Sequence, residues 1–436
     1  MIQVNKDGHL MIDGCNSQEL VEQFGSPLYA YSETIISNQC KEIRKVFLNK
    51  YPNTRAMYAA KAFLTTGFCK LLEREGLGID VVSGGELYTA IRANFDPEMI
   101  EFNGNNKTEE EIRAALEYNI GRIIVDNPDE LKFLESICKE MNKKVKVIYR
   151  ITPNVEVITH KYIQTAQKDS KFGFPLDEEI IYPAIKAGID SDYIDFIGFH
   201  FHIGSQLFQN QAYLKALDVV FLFMQETRRR YKYDITELNV GGGFGIKYLK
   251  SDEKKPYRYF LEPIMKKIDE FCKEHSFTRP SIVIEPGRSI VGEAGVTLYK
   301  VGNIKEIPNV RNYISIDGGM TDNLRVALYQ SKYEMILANR ATDKKDYTAS
   351  ICGKCCESGD ILITDAKMPK PKRGDILATF STGAYGYSMS NNYNKNATPA
   401  VVLCKEGQAD LLVKRQSYEK MIENEIIPQR LLKSKN

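Results

Sequence analysis

The sequence predicts an α/β chain in which a closed (β/α)8 barrel is followed by a second, mainly β domain. Three observations predict it. Eight short β-rich apolar runs alternate with amphipathic helical stretches over about 250 residues, the usual span of such a barrel. The polar residues of these runs gather at their C-terminal ends, the face on which barrels of this kind carry chemistry. After Glu285 the rhythm changes to strand-like alternation broken by turns. An open doubly wound sheet is the competing topology, but neither a G-x-G-x-x-G fingerprint after the first strand nor a P-loop is present.

In chain order, a helix is predicted from Ser17 to Phe24 and an extended stretch from Pro27 to Tyr31. Ser32 has the N-cap chemistry for a helix running towards Asn49, because its hydroxyl can accept from a free first-turn amide. The eight barrel strands are Ala56 to Ala62, Leu77 to Ser83, Met99 to Gly104, Arg122 to Asp126, Val145 to Arg150, Phe196 to His202, Glu237 to Gly241 and Ser281 to Glu285. Helices at Glu109 to Tyr118, Pro128 to Met141, Gln211 to Arg229 and Tyr257 to Glu274 carry apolar residues at helical spacing. The segment from Pro153 to Phe174 is long for a barrel connection, a length that allows closure over a site. Val296 to Val301, Tyr313 to Asp317 and Asp375 to Phe380 read as strands of the second domain. The boundaries predicted are 31–288 for the barrel, with 1–30 and 289–436 forming the mainly β domain, to which the N-terminus adds a strand.

Composition narrows the function classes. The 436 residues are 43% hydrophobic, enough for two well-developed cores. A net charge of +2 on 59 basic and 57 acidic residues gives no electrostatic case for nucleic acid or an anionic membrane. Arg228 to Arg230, the densest basic run, falls where a helix ends and suits a solvated last turn. Nine cysteines with no signal peptide read as reduced thiols of a cytoplasmic protein. Cys352 and Cys355 have metal-like spacing without a second pair at a suitable distance, so no metal is expected. No apolar run approaches membrane-spanning length.

Several strand-end residues bear on chemistry. Lys61 closes an otherwise apolar strand, where lost hydration lowers a lysine's pKa and leaves an amine able to form a Schiff base. The plainer reading is a side chain that reaches back to water. Gly241, Gly242 and Gly243 follow the seventh strand, where backbone amides can close on a phosphate, though a glycine run also makes a simple tight turn. Glu285, before Pro286, Gly287 and Arg288, can keep a pyridine nitrogen protonated, as pyridoxal phosphate needs of its electron sink, or can pair with Arg288. His202 is flat enough to stack on a ring, with Ser205 in reach of phosphate oxygens. His200, one step deeper, reads as a core histidine. In the second domain Cys356 offers a general acid and Glu357 a partner for an ammonium, against the alternative of a structural cysteine in a turn.

Together Tyr58 to Ala62, Asp80 to Leu87, His200 to Ser205, Gly241 to Gly243, Glu285 to Arg288, Cys356 to Asp360 and Gly383 to Ser390 resemble the diaminopimelate decarboxylases over nearly the whole chain. These carboxy-lyases belong to the fold-type III, alanine racemase-like, pyridoxal-phosphate-dependent decarboxylases. The resemblance implies that Lys61 carries the cofactor, His202 stacks on its ring and Glu285 pairs with the ring nitrogen. Asp80 joins the cofactor set. Ser205, Gly241, Gly242, Gly243, Pro286, Gly287, Arg288 and Tyr385 would hold the phosphate end. Cys356 would donate the proton, reaching the barrel mouth of a second subunit in a homodimer with shared sites.

The implied reaction converts meso-2,6-diaminopimelate to L-lysine and carbon dioxide, the last step of lysine biosynthesis. Arg288, Arg325 and Tyr329 can clamp a distal carboxylate by charge-assisted hydrogen bonds, Glu357 can accept a distal ammonium, and Tyr385 completes the substrate set. Val326 and Lys354 stand where the family usually has proline, and Ser381-Thr382 replace a more usual acidic or small pair; none of these removes a group with a role. Three alternatives stay open. A decarboxylase for another basic amino acid would be told apart by Arg325 and Glu357. A racemase would need a second base in place of the Cys356 thiol. A catalytically dead regulatory homologue would bind no cofactor.

Overall fold

The computed structural model describes residues 1–155 and 170–432. Eight parallel strands, Thr54–Ala59, Gly78–Val81, Ile100–Phe102, Arg122–Val125, Val145–Arg150, Ile194–His200, Glu237–Asn239 and Ser281–Ile284, close in chain order into a barrel. Closure is made by the eighth strand on the first, with Val283 opposite Arg55. Parallel strands covered by helices are buried on both faces, which is why they read as short continuous apolar runs.

The eight predicted barrel strands are all present; Val145–Arg150 has the predicted bounds and the other seven end earlier. The first stops at Ala59, and Ala60–Ala62 form a 3-10 turn that carries Lys61. His202, Gly241 and Glu285 likewise lie one or two residues beyond their strands, in the loops of the barrel mouth. The helix from Glu33 runs to Ile43 and passes into a π-helix at Arg44–Leu48. Helices Thr66–Arg74, Gly84–Arg92 and Glu178–Asp190 are additional to the predicted ones. The first two carry clear start signals: Thr65 accepts from Phe68 N, and Ser83 from Glu86 N while the Glu86 side chain reaches back to Val82 N. Residues 156–169, most of the long connection noted above, lie outside the described residues.

The chain divides into a barrel unit, 33–294 with 383–388, and a β unit, 1–32, 295–382 and 389–436. The divisions thus fall at Ser32/Glu33 and Ala294/Gly295, a few residues later than sequence placed them. Ser32 ends the strand Leu28–Ser32, and the turn Arg288–Val291 stays with the barrel. Segment 383–388 returns to the barrel unit, where Gly383 N donates to Gly292 O and Tyr385 N to Ala62 O at 3.0 and 2.8 Å. In the β unit, Leu28–Ser32 is an inner strand, antiparallel to Gly295–Ile307 and parallel to Ala400–Lys405. Leu28, Ala30, Val296, Leu298, Ala378 and Val402 build its main core. Among the described residues no helix is long and apolar enough to cross a membrane. All nine cysteines are free thiols.

Candidate active site

At the barrel mouth the glycine loop is held by backbone contacts that exclude a side chain. A Cβ on Gly242 would lie 1.9 Å from Glu285 O, and one on Gly243, at φ +106°, 2.2 Å from Gly204 O. Tyr213 donates to Gly242 O at 2.7 Å, and Glu285 N to Gly241 O at 2.8 Å. This binds the loops after the sixth, seventh and eighth strands into one surface. The Gly242 amide points at His202 Nδ1, 3.4 Å away. Burial, then the Lys61 charge, push the His202 pKa well below the usual value, so its ring is neutral.

Arg288 is buried and committed to this surface. Its Nε and Nη2 lie 3.3 and 3.0 Å from Ser205 Oγ, Nη1 reaches the Tyr248 hydroxyl, and the guanidinium lies 4.7 Å from the Tyr385 ring centre. Glu285 meets different partners: Asn239 Nδ2 donates to its Oε1 at 2.8 Å, and His200 Nε2 stands 3.0 Å from the same oxygen. Burial opposes its charge, but His200, which also hydrogen-bonds it, and the Lys61 charge outweigh burial and hold it at about 2. His200, expected as a core histidine, is fully buried and belongs to this carboxylate's environment.

Two expectations change in detail. Lys61 is exposed rather than desolvated, because the strand ends at Ala59 and the turn lifts the side chain out of the apolar run. Asp80 lies inside its strand and is fully buried, and neither carboxyl oxygen has a hydrogen-bond partner among the described residues. Burial and Glu285 raise its pKa well above the usual carboxylate range.

The barrel unit therefore brings together Lys61, Asp80, His202, Ser205, Gly241 to Gly243, Glu285 to Arg288 and Tyr385. The β unit holds Arg325, Tyr329, Cys356 and Glu357. Arg325 is buried, donates from Nε to Tyr333 Oη at 3.0 Å, and lies 5.1 Å from the Tyr329 ring centre. Cys356 and Glu357 are exposed on one turn. That turn is pinned by Asp360, which accepts from Met320 N and Cys355 N at 2.7 and 3.0 Å, and by Asn394, which accepts from Cys356 N at 2.7 Å.

Sequence reasoning missed Asn239, Tyr248 and Glu101. Asn239 and Glu101 sit inside short strands where a polar residue gives no motif, and Tyr248 lies in a loop. A polar residue within an apolar strand run was the one signal available.

Residues 34–292 match the pyridoxal binding domain of the pyridoxal-dependent decarboxylases. Over 418 residues the chain is 48% identical to the diaminopimelate decarboxylase of Bacillus subtilis (strain 168), covering 96% of this chain and 95% of that one. The diaminopimelate decarboxylase of Bacillus methanolicus is 46% identical, with 95% and 96% covered. The chain belongs to the diaminopimelate decarboxylase family. Among solved structures, the m. jannaschii diaminopimelate decarboxylase in complex with L-lysine matches at a TM-score of 0.92 and 36% identity, covering 99% of both chains.

Pyridoxal phosphate is the cofactor of diaminopimelate decarboxylases, and the residues of this mouth fit it. Its phosphate calls for a cation, hydroxyls and close backbone, which Arg288, Ser205 and Gly242 to Gly243 provide. Its ring nitrogen calls for a buried carboxylate, which Glu285 provides. Its carbonyl calls for an accessible primary amine, and Lys61 is one. Asp80 adds an unpartnered buried carboxyl, a group that costs about 1–3 kcal/mol until something polar meets it.

Proposed function

We propose that this enzyme decarboxylates meso-2,6-diaminopimelate to L-lysine and carbon dioxide, the last step of lysine biosynthesis. The observation that carries the reading is the Glu285, Arg288 and Ser205 arrangement beside Lys61 in a chain 48% identical to a diaminopimelate decarboxylase.

Pyridoxal phosphate, when bound, supplies a carbonyl for the substrate amine and a sink for the electron pair left by departing carbon dioxide. Lys61, whose amine is exposed, would hold that carbonyl until substrate binds. Glu285 would retain a proton on the ring nitrogen, and the neutral His202 ring would offer a flat face to the cofactor. Ser205, Arg288, the glycine loop and Tyr385 anchor the phosphate end. Cys356 delivers a proton to the α-carbon from one face, which sets the configuration of the product. Arg325 and Tyr329 hold the distal carboxylate, and Glu357 the distal ammonium. A substrate whose far end is itself an amino acid satisfies both signs; ornithine or lysine leaves Arg325 without an anion.

The active unit is a homodimer in which Cys356 of one chain serves the barrel mouth of the other. Exposed Tyr418, Ile422, Ile426, Ile427, Leu431 and Leu432 near the C-terminus support this, since an apolar run of that kind suits burial against a second chain. Nine free thiols suit a reducing, cytoplasmic compartment.

The decisive experiment measures carbon dioxide release from meso-diaminopimelate with added cofactor, and the chirality of the product. L-lysine as sole product is expected, with Lys61→Ala losing both cofactor absorbance and turnover. Release from ornithine, arginine or lysine but not from diaminopimelate would overturn the roles given to Arg325 and Glu357.

A further inference from the structure

Below Glu285 the barrel axis is filled by polar side chains where layers of Val, Ile and Leu are usual. Asn239 Nδ2, which donates to Glu285 Oε1, also lies 3.4 and 3.5 Å from the two oxygens of Glu101. Glu101 Oε2 stands 3.9 Å from Arg122 Nη1, and Arg122 Nε 3.1 Å from Glu237 Oε1. Glu101 and Arg122 are 0% and 1% exposed. Buried polar side chains of this sort seldom stabilise more than apolar packing of the same volume, so stability alone does not account for the column.

We propose that Glu101 is a positioning residue for Glu285: acting through Asn239, it holds that side chain as the carboxylate that meets the cofactor's ring nitrogen. The inference rests on the reading of Glu285 given above. Asp80, Glu101 and Glu285 have oxygens within 4.8 Å of one another, and three carboxyls so close in a desolvated site cannot all be ionised. The charged and titratable groups facing Glu285 are His200, His202, Lys61 and Arg150, with Asp80 and Glu101 as like-charge neighbours. The surrounding charge favours the anion at Glu285. Burial, then Glu285, Asp80 and Glu237, leave Glu101 as a neutral acid. A neutral acid there can donate to a carboxylate and accept from Asn239, which an ionised one cannot do.

The test compares Glu101→Gln, Glu101→Leu, Asn239→Leu and Glu285→Gln in protein purified with pyridoxal phosphate. The readouts are the pH midpoint of the bound cofactor's absorbance and the cofactor dissociation constant. Glutamine reproduces the neutral acid and should keep the parent midpoint. Leucine at 101 should move it by about one unit and weaken cofactor binding about tenfold, and Asn239→Leu, which cuts the same link, should do likewise. In a Glu285→Gln background Glu101→Leu should add nothing, because its effect passes through Glu285. Leucine at 101 or at 239, in folded protein, leaving the midpoint unmoved would overturn the proposal, as would an undiminished effect of Glu101→Leu in the Glu285→Gln background. If Glu285→Gln itself leaves spectrum and affinity as in the parent, the reading of Glu285 is what fails.

Discussion

At Arg288 one guanidinium is divided between the Ser205 and Tyr248 hydroxyls and lies over Tyr385, so its geometry is set before any ligand arrives. Pre-organisation of that kind cuts the entropy cost of holding a phosphate. Arg288→Met should weaken cofactor binding by roughly ten- to a hundredfold, about 1.5–3 kcal/mol for a charged hydrogen-bonding partner, read by fluorescence titration. Glu285 supplies a pH-dependent prediction. Its carboxyl is held at about 2 in the folded chain, against burial, by His200 and Lys61. A depressed carboxyl contributes stability above its unfolded value of about 4.3, and that contribution fades as pH falls towards 2. The urea midpoint of the parent should therefore exceed that of Glu285→Gln at pH 7 by more than it does at pH 3.5. A gap independent of pH would contradict this.

Among the elements, the turn that carries Cys356 and Glu357 depends on a residue that touches neither side chain. The Asp360 carboxylate fits against Gly319 and Gly353, where an added Cβ would lie 2.4 and 2.1 Å from Asp360 Oδ2, and it accepts the amides of Met320 and Cys355. Asp360→Ala would leave both amides without a partner, at roughly 1–3 kcal/mol each. The unfolding midpoint should drop and kcat should fall at least tenfold, with Asp360→Asn recovering part of both because one oxygen is kept. Retention of full kcat by the alanine variant would show that the turn's placement does not matter. The glycine loop obeys the same logic with backbone instead of a carboxylate: Gly242 is required because Glu285 O leaves no space for a side chain.

For the whole molecule, shared sites make a prediction that independent sites do not. Lys61→Ala and Cys356→Ala should each be inactive alone. After mixing and subunit exchange, half the dimers are mixed, and each mixed dimer regains one intact site of two, so about a quarter of parental activity should return. No recovery, with exchange shown by mass, would place Lys61 and Cys356 of one chain in the same site.

Fold class, strand order and the mouth-lining motifs were legible in the sequence because they rest on local signals. Alternating apolar runs and helical stretches define the barrel, and Gly241 to Gly243 and Glu285 to Arg288 are short contiguous motifs. Helix Glu178–Asp190 is not among the predicted ones, and the first strand ends earlier than predicted because apolar character persists beyond the last ladder bond, at Ala60 and Ala62. What only the tertiary structure decided is which distant residues share an environment. Glu101, Arg122, Asn239 and Glu237 come from the third, fourth and seventh strands, and each alone is a polar residue in an apolar run. Barrel closure turns their side chains onto one axis beneath Glu285, where low dielectric and short distance couple their charges.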